Sequence, residues 1–429
     1  MDIKIKGGQV LSGEITPSGS KNSVVALVPA TILFDKPVTL KNVPDITDVP
    51  RLVKILEKLG SKINWDKSKQ TLTIDNSKLR FENLDREDLG NMKGTSLLWG
   101  PMLARFKEVN FTELPGGCTL GTRPLGPQYD TFRELGVKVN ETPHSACMSA
   151  KHARACEVWL PEMSPTITEN VIMLASSLKG TSKIVGAASE PQVQDLCEFL
   201  VKCGADISGV GSSVLVVNGG KKLIPKPHDI SSDHYEIATF LALAAATGGE
   251  MKIHKAIPAH MKHILYIFSK FGIKIEYKGD TAILKRGQKI RVEGNDGNGT
   301  LTVRAQPWPS LPVDLLPVFI PLALASQKGQ VLFHNWMYES GLFWTSELTK
   351  LGANIVMCDP HRVIINGGRK LRGDTLEAPY IIRAVVALVM SAMIAKGESV
   401  ILNADALYRG HPNFAVNLRK LGAIIEEIG

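Results

Sequence analysis

The stretch Leu114-Pro-Gly-Gly-Cys-Thr-Leu-Gly-Thr-Arg-Pro124 gathers the residue types best suited to chemistry in this chain. Cys118 can act as a nucleophile or a proton donor. Gly116, Gly117 and Gly121 allow backbone conformations closed to other residues, so the segment can lie close against a ligand, and Pro115 stiffens the approach. Arg123, five residues past the cysteine, adds a permanent charge and a planar fork of donors that suits phosphate or carboxylate. Positive surroundings of this kind lower a thiol pKa from about 8.5. A plain glycine turn with an incidental cysteine fits the same residues. Lys21 marks a second basic position: it follows Ser18-Gly-Ser20 and opens an apolar helix, where unpaired amides and the helix dipole favour an anion.

The elements that must hold these residues follow from length and pattern. At 429 residues the chain is too long for one ordinary core, and two domains of about 200 residues each are expected. Its six cysteines include no Cys-x-x-Cys pair, which speaks against a zinc site and a secreted disulfide framework. The start, Met1-Asp-Ile-Lys-Ile-Lys, reads as a strand and not a signal peptide, and apolar runs such as 384–394 fall short of the roughly 20 residues of a membrane span. A cytoplasmic protein is expected. The net charge of +8 is spread without a basic block, and no basic stripe with interleaved aromatics marks a nucleic-acid surface. A small phosphorylated ligand suits this balance, as does a merely solvated surface.

One phrase occurs six times: Leu56-Glu-Lys-Leu-Gly-Ser-Lys-Ile63, Phe132-Arg-Glu-Leu-Gly-Val-Lys-Val139, Leu200-Val-Lys-Cys-Gly-Ala-Asp-Ile207, Phe268-Ser-Lys-Phe-Gly-Ile-Lys-Ile275, Leu348-Thr-Lys-Leu-Gly-Ala-Asn-Ile355 and Leu418-Arg-Lys-Leu-Gly-Ala-Ile-Ile425. Each reads as an amphipathic helix that ends on a left-handed glycine and leads into a strand. Upstream of each lies a helix apolar all round, at 22–33, 95–104, 168–178, 235–246, 315–325 and 383–395, which must be buried. The unit is helix, strand, helix, strand, strand. Three units sharing buried helices would close into one globular domain, giving two pseudo-threefold α/β domains. The polar stretch 226–232 divides them, and the strands before Lys21 complete the later half, so the expected domains are 1–20 plus 232–429, and 21–231. A ligand cleft between domains is then expected.

Ser18-Gly-Ser-Lys-Asn22, the Cys118 stretch, Leu311-Pro-Val-Asp314, Arg383 and Tyr408-Arg-Gly410 occur in this order, with Gly100 to Phe106 and Glu190-Pro191 between them. This set resembles, from end to end, the UDP-N-acetylglucosamine enolpyruvyl transferases, relatives of EPSP synthase. The resemblance implies two inverse βαβαββ domains of three repeats each with the active site in the cleft. It also implies transfer of the enolpyruvyl group of phosphoenolpyruvate to a sugar hydroxyl, with loss of phosphate, at the first committed step of peptidoglycan precursor synthesis. By the same resemblance Cys118 is the general acid, able to carry a phospholactoyl adduct and to be alkylated by fosfomycin, and Asp314 takes the hydroxyl proton. Lys21, Arg123, Arg383 and Arg409 form the cationic cluster, Lys21 and Arg409 sharing in catalysis. Asn22, Lys93 and Met337 join the substrate-binding set. No metal or cofactor is implied, phosphoenolpyruvate being a substrate, and neither nucleic acid nor membrane is a partner.

Residue by residue, plainer roles remain open: Arg383 can pair with a structural carboxylate, and Asp314 can cap the helix that follows. The chain departs from the family pattern at several positions, of which 93, 126–128 and 162 lie toward where the family holds the nucleotide. Lys93, Thr47, Gly341 and Ile381 stand where arginine, lysine, arginine and aspartate are usual, Gly126-Pro127-Gln128 replaces an Asp-x-His segment, and Glu162 replaces a lysine. Transfer to another nucleotide or sugar is the alternative, and a non-catalytic anion- or nucleic-acid-binding paralogue the third reading.

Overall fold

The computed structural model describes residues 1–81, 92–111, 124–292, 294 and 299–429. Six apolar helices form the interior: Lys21–Ala30, Trp99–Phe106, Pro165–Ala175, His234–Ala246, Leu316–Ala325 and Ile382–Ile394. Small and branched side chains cover nearly every face of them, so none can be left in water. Their bounds fall within three residues of those expected from the sequence, except that the second opens through a 3₁₀ turn, Lys93–Leu98.

The amphipathic helices Asp48–Lys58, Gly126–Glu134, Pro191–Lys202, Pro258–Lys270 and Phe414–Lys420 alternate with them. After these helices come Gly60, Gly136, Gly204, Gly272 and Gly422, at φ of 97°, 82°, 103°, 72° and 97°, a left-handed region that a Cβ would crowd. The fifth repeat departs from the expected α-helix. There the segment Phe343–Thr349 is 3₁₀, because the hydroxyls of Thr345, Ser346 and Thr349 bond the carbonyls three residues back, matching the tighter i to i+3 winding.

One repeat shows how the sheets are wound. Glu157–Trp159 leads through the buried helix Pro165–Ala175 to Gly180–Val185, with which it pairs in parallel, the crossover that such a pair needs. Pro191–Lys202 then leads to Asp206–Ser208 and Val214–Gly219, which finish the sheet antiparallel. The order of elements is βαβαββ. Asp2–Lys6 lies antiparallel between Glu398–Leu402 and Ile424–Ile428, and Gly13–Ile15 lies parallel to Met251–Ile253, so the first strands belong to sheets of the later repeats.

The described residues divide into two compact units, Met1–Ser18 with Ser232–Gly429, and those between 19 and 231. Each has its own hydrophobic core. In the second unit, His228–Asp229 runs parallel to Val38–Lys41. Just beyond, the Asp195 carboxylate bonds His228 Nε2 at 2.7 Å and accepts from Ser231 Oγ at 2.8 Å, which fixes the polar stretch to the helix Pro191–Lys202. Among the described residues no helix is long and apolar enough to cross a membrane.

Candidate functional site

In the unit between residues 19 and 231, Ser20 caps the first buried helix, its Oγ accepting from Ser23 N at 3.2 Å. Lys21 and Asn22 are therefore the first two helical residues, both half-buried. The Lys21 ammonium lies 3.6 Å from Asp48 Oδ2, on a carboxylate almost wholly out of water. Asp48 begins the neighbouring helix and was not singled out from sequence, where it reads as an ordinary first-turn acid. Lys93 begins the turn Lys93–Leu98. Cys118 and Arg123 lie outside the described residues. The buried thiol of Cys197 is pushed up to about 12 by loss of water, and burial raises those of Cys156 and Cys203 as well.

Where the nucleotide end is expected, Gln128 is buried on Gly126–Glu134 with no described partner for its Nε2. Glu162 is exposed three residues before Pro165–Ala175. On that helix Glu169 is wholly buried, and burial, with the charge of Glu190 behind it, holds its carboxyl well above the usual carboxylate range.

In the unit of Met1–Ser18 and Ser232–Gly429, Asp314 sits half-buried in the 3₁₀ turn Val313–Leu315. It does not cap the helix Leu316–Ala325, whose N-cap is Leu315 without a side-chain bond, and it has no hydrogen bond or ion pair among the described residues. Arg383 is the second residue of Ile382–Ile394 and is 6% exposed. Its Nη1 donates to His411 Nε2, and its guanidinium carbon lies 4.9 Å from the centre of the Tyr235 ring. Among the described residues no carboxylate comes within 4.0 Å of it. The N-cap of its helix is Ile381, which offers no side-chain acceptor.

Arg409 ends the 3₁₀ turn Ala404–Arg409, buried, with its guanidinium carbon 5.1 Å from the Tyr380 ring centre. Met337 is half-buried, its amide donating to Asn335 Oδ1 at 3.2 Å. Gly341 packs closely on Asn335, so that a Cβ would stand 2.1 Å from its Nδ2 and the amide would have to move. Glu236 is wholly buried, and burial raises its carboxyl to about 7 against the hydrogen bonds from Ser18.

The EPSP synthase (3-phosphoshikimate 1-carboxyvinyltransferase) family matches residues 5–418. The chain belongs to this family. Within it, the chain is 37% identical over 424 residues to the UDP-N-acetylglucosamine 1-carboxyvinyltransferase of Bradyrhizobium diazoefficiens, covering 99% of this chain and 97% of that protein. It is likewise 37% identical over 423 residues to the enzyme of that name from Treponema denticola, covering 98% of each. Two solved structures share the fold of this family member: the enolpyruvyl transferase NikO from Streptomyces tendae, with a TM-score of 0.87 at 21% identity over 99% of this chain and 98% of that one, and EPSP synthase from Acinetobacter baumannii, with 0.73 at 16% over 99% and 100%.

Proposed function

We propose that the protein transfers the enolpyruvyl group of phosphoenolpyruvate to the sugar hydroxyl of UDP-N-acetylglucosamine and releases phosphate, in peptidoglycan precursor synthesis. Its full-length relatives carry that activity in their names. The observation that carries the chemistry is Arg383, a buried guanidinium on an apolar helix with no described carboxylate within 4.0 Å; the charge it feels from Glu236 comes from a carboxyl that burial raises to about 7 and so leaves only partly ionised. A buried charge without a counter-ion is costly, so its arrangement suits a ligand that brings the negative charge. Lys21, Arg123 and Arg409 join it in holding the phosphate and carboxylate, with Lys93, Asn22 and Met337 against the acceptor.

In the reaction the hydroxyl oxygen bonds the central carbon of phosphoenolpyruvate while Asp314 takes the hydroxyl proton. Cys118 gives a proton to the methylene carbon, which becomes a methyl group. Loss of a methyl proton then restores the double bond as the carbon–oxygen bond to phosphate breaks, leaving an enol ether on the acceptor. Charge moves onto the departing phosphate in this step, and fixed cations near it stabilise that charge without reorganising.

A second reading, transfer to another nucleotide or sugar, is supported at the positions that the resemblance assigns to the nucleotide, where Glu162 is exposed and the buried Gln128 Nε2 has no partner among the described residues. Phosphate release with phosphoenolpyruvate and a panel of acceptors tests both. Turnover with UDP-N-acetylglucosamine is expected; release with UMP or another hydroxyl compound alone would hand the function to the second reading.

A further inference from the structure

His234 is the strongest feature that the proposed chemistry does not use. It is the first residue of the helix His234–Ala246 and is 1% exposed, yet among the described residues neither ring nitrogen has a hydrogen-bond partner. Its ring lies 4.1 Å from that of Tyr235, 5.6 Å from Trp308 and 6.0 Å from His260, centre to centre. Burial above all, then the charges of His260 and Arg383, push the imidazole well below its usual range. It is therefore neutral near pH 7, with one N–H to give and one lone pair to receive.

An imidazole buried with both nitrogens unsatisfied destabilises the ligand-free fold, since each forgoes the bonds it makes in water. The helix does not explain it, because Asp233 already caps that end, accepting from Tyr235 N at 2.8 Å and Glu236 N at 3.1 Å. Its surroundings do point to a ligand. Tyr235 is in ring contact with His234 and also lies beneath the Arg383 guanidinium, so the unsatisfied imidazole and the cation without a described carboxylate share one aromatic support. Both belong to the same unit and both lack what an oxyanion supplies.

We propose that His234 is a substrate-binding residue which donates a hydrogen bond to an oxyanion gripped by Arg383. The oxyanion is the phosphate or carboxylate of phosphoenolpyruvate, or the diphosphate of the acceptor. This rests on the proposed function for the identity of the ligands, and on the residues of one unit for the contact. Neutrality suits the role: a neutral donor adds direction to the Arg383 charge without a second buried cation.

The test measures melting temperature of the ligand-free chain, calorimetric affinity for phosphoenolpyruvate, UDP-N-acetylglucosamine and inorganic phosphate, each alone, and KM for both substrates. His234→Phe should raise the melting temperature, because two unsatisfied polar atoms are gone, and weaken at least one anionic ligand roughly tenfold. The ligand affected identifies the oxyanion. His234→Gln, which keeps a donor and an acceptor, should recover most of that affinity. A lower melting temperature with every affinity and KM unchanged would make His234 an ordinary core residue and overturn the proposal.

Should His234→Phe fail to fold, ring-nitrogen NMR on the wild-type chain decides. The resonance missing from His234→Gln must shift on ligand saturation, and its indifference to all three ligands would also overturn the proposal. The two readings fail separately. Wild-type turnover with unchanged KM in His234→Phe removes only this inference, whereas anion binding lost in His234→Phe with no phosphate release from any acceptor removes only the proposed reaction.

Discussion

Replacing Asp314 by alanine separates a proton acceptor from a piece of helix structure. An N-capping carboxylate loses about 1 kcal/mol when truncated. Asp314 has no such bond to lose: Leu315 holds the N-cap position of Leu316–Ala325, no side chain caps it, and the carboxylate meets no donor among the described residues. Half-buried and without a described partner, it should behave as a surface substitution, within about 0.5 kcal/mol, or no more than a degree or two in melting temperature for a chain of this size. Turnover should respond very differently. Loss of a general base costs on the order of a hundredfold or more, which is about 2.7 kcal/mol on the barrier. Phosphate release at saturating phosphoenolpyruvate and acceptor, read beside a thermal melt and the affinity for phosphoenolpyruvate, gives all three quantities. Asp314→Asn sharpens the result, since an amide can still orient a hydroxyl but cannot take its proton; the asparagine should be as impaired as the alanine. A melting temperature several degrees lower with turnover nearly intact would show that the carboxylate is structural.

Three further outcomes follow from the same unit and its neighbour. Arg383→Met should leave the ligand-free melting temperature unchanged or higher, since a buried charge with no described carboxylate within 4.0 Å gives way to an apolar chain, while kcat/KM for phosphoenolpyruvate falls by about a hundredfold or more; the reverse pattern would mean that the guanidinium is a structural cation. Burial raises Glu236 to about 7 from 4.5, so between those values the folded state binds more protons than the unfolded one and stability falls as pH rises. The loss is on the order of 3 kcal/mol in all and flattens above pH 7. Denaturation midpoints from pH 4.5 to 8 should show this slope and Glu236→Gln should remove it; parallel curves for the two proteins would refute it. Glu162→Lys should lower KM for UDP-N-acetylglucosamine by a few-fold, with the gain shrinking as salt rises, and a salt-independent gain would show that something other than charge is responsible.

The repeats were legible because their signals are local and obligatory. A helix apolar on every face has one destination, and a glycine after an amphipathic helix has few uses, so Gly60, Gly136, Gly204, Gly272 and Gly422 mark their caps in the sequence itself. The 3₁₀ segment Phe343–Thr349 was missed because its apolar spacing suits an α-helix equally well, and the choice rests on where the hydroxyls of Thr345, Ser346 and Thr349 find acceptors. Site residues that lie in a motif matching the family stood out. His234 and Asp48 did not, since a histidine or aspartate at a helix start is common, and what distinguishes these two is a buried ring without partners and a buried carboxylate facing Lys21. Neither property is local in sequence. The one visible trace of Asp48 is its place at the start of a conspicuous amphipathic helix.

The same rule that buries the six central helices also confines the chemistry. Polar groups are costly along a helix packed on all sides, so the positions that can carry them are at its ends, and the first turn has free amides and the positive end of the dipole besides. Lys21 and Asn22 open the first buried helix, Lys93 the turn before the second, Glu162 the approach to the third, His234 the fourth, Asp314 the turn before the fifth and Arg383 the sixth. Repetition gives all six starts the same place in the order of elements, and that place is filled with an ammonium, an acid, an imidazole or a guanidinium from one unit to the next. That correspondence bears on His234 in particular. A residue at the fourth start stands where the other repeats carry the residues proposed to meet substrate, which is a reason, independent of its unsatisfied nitrogens, to place it on the ligand.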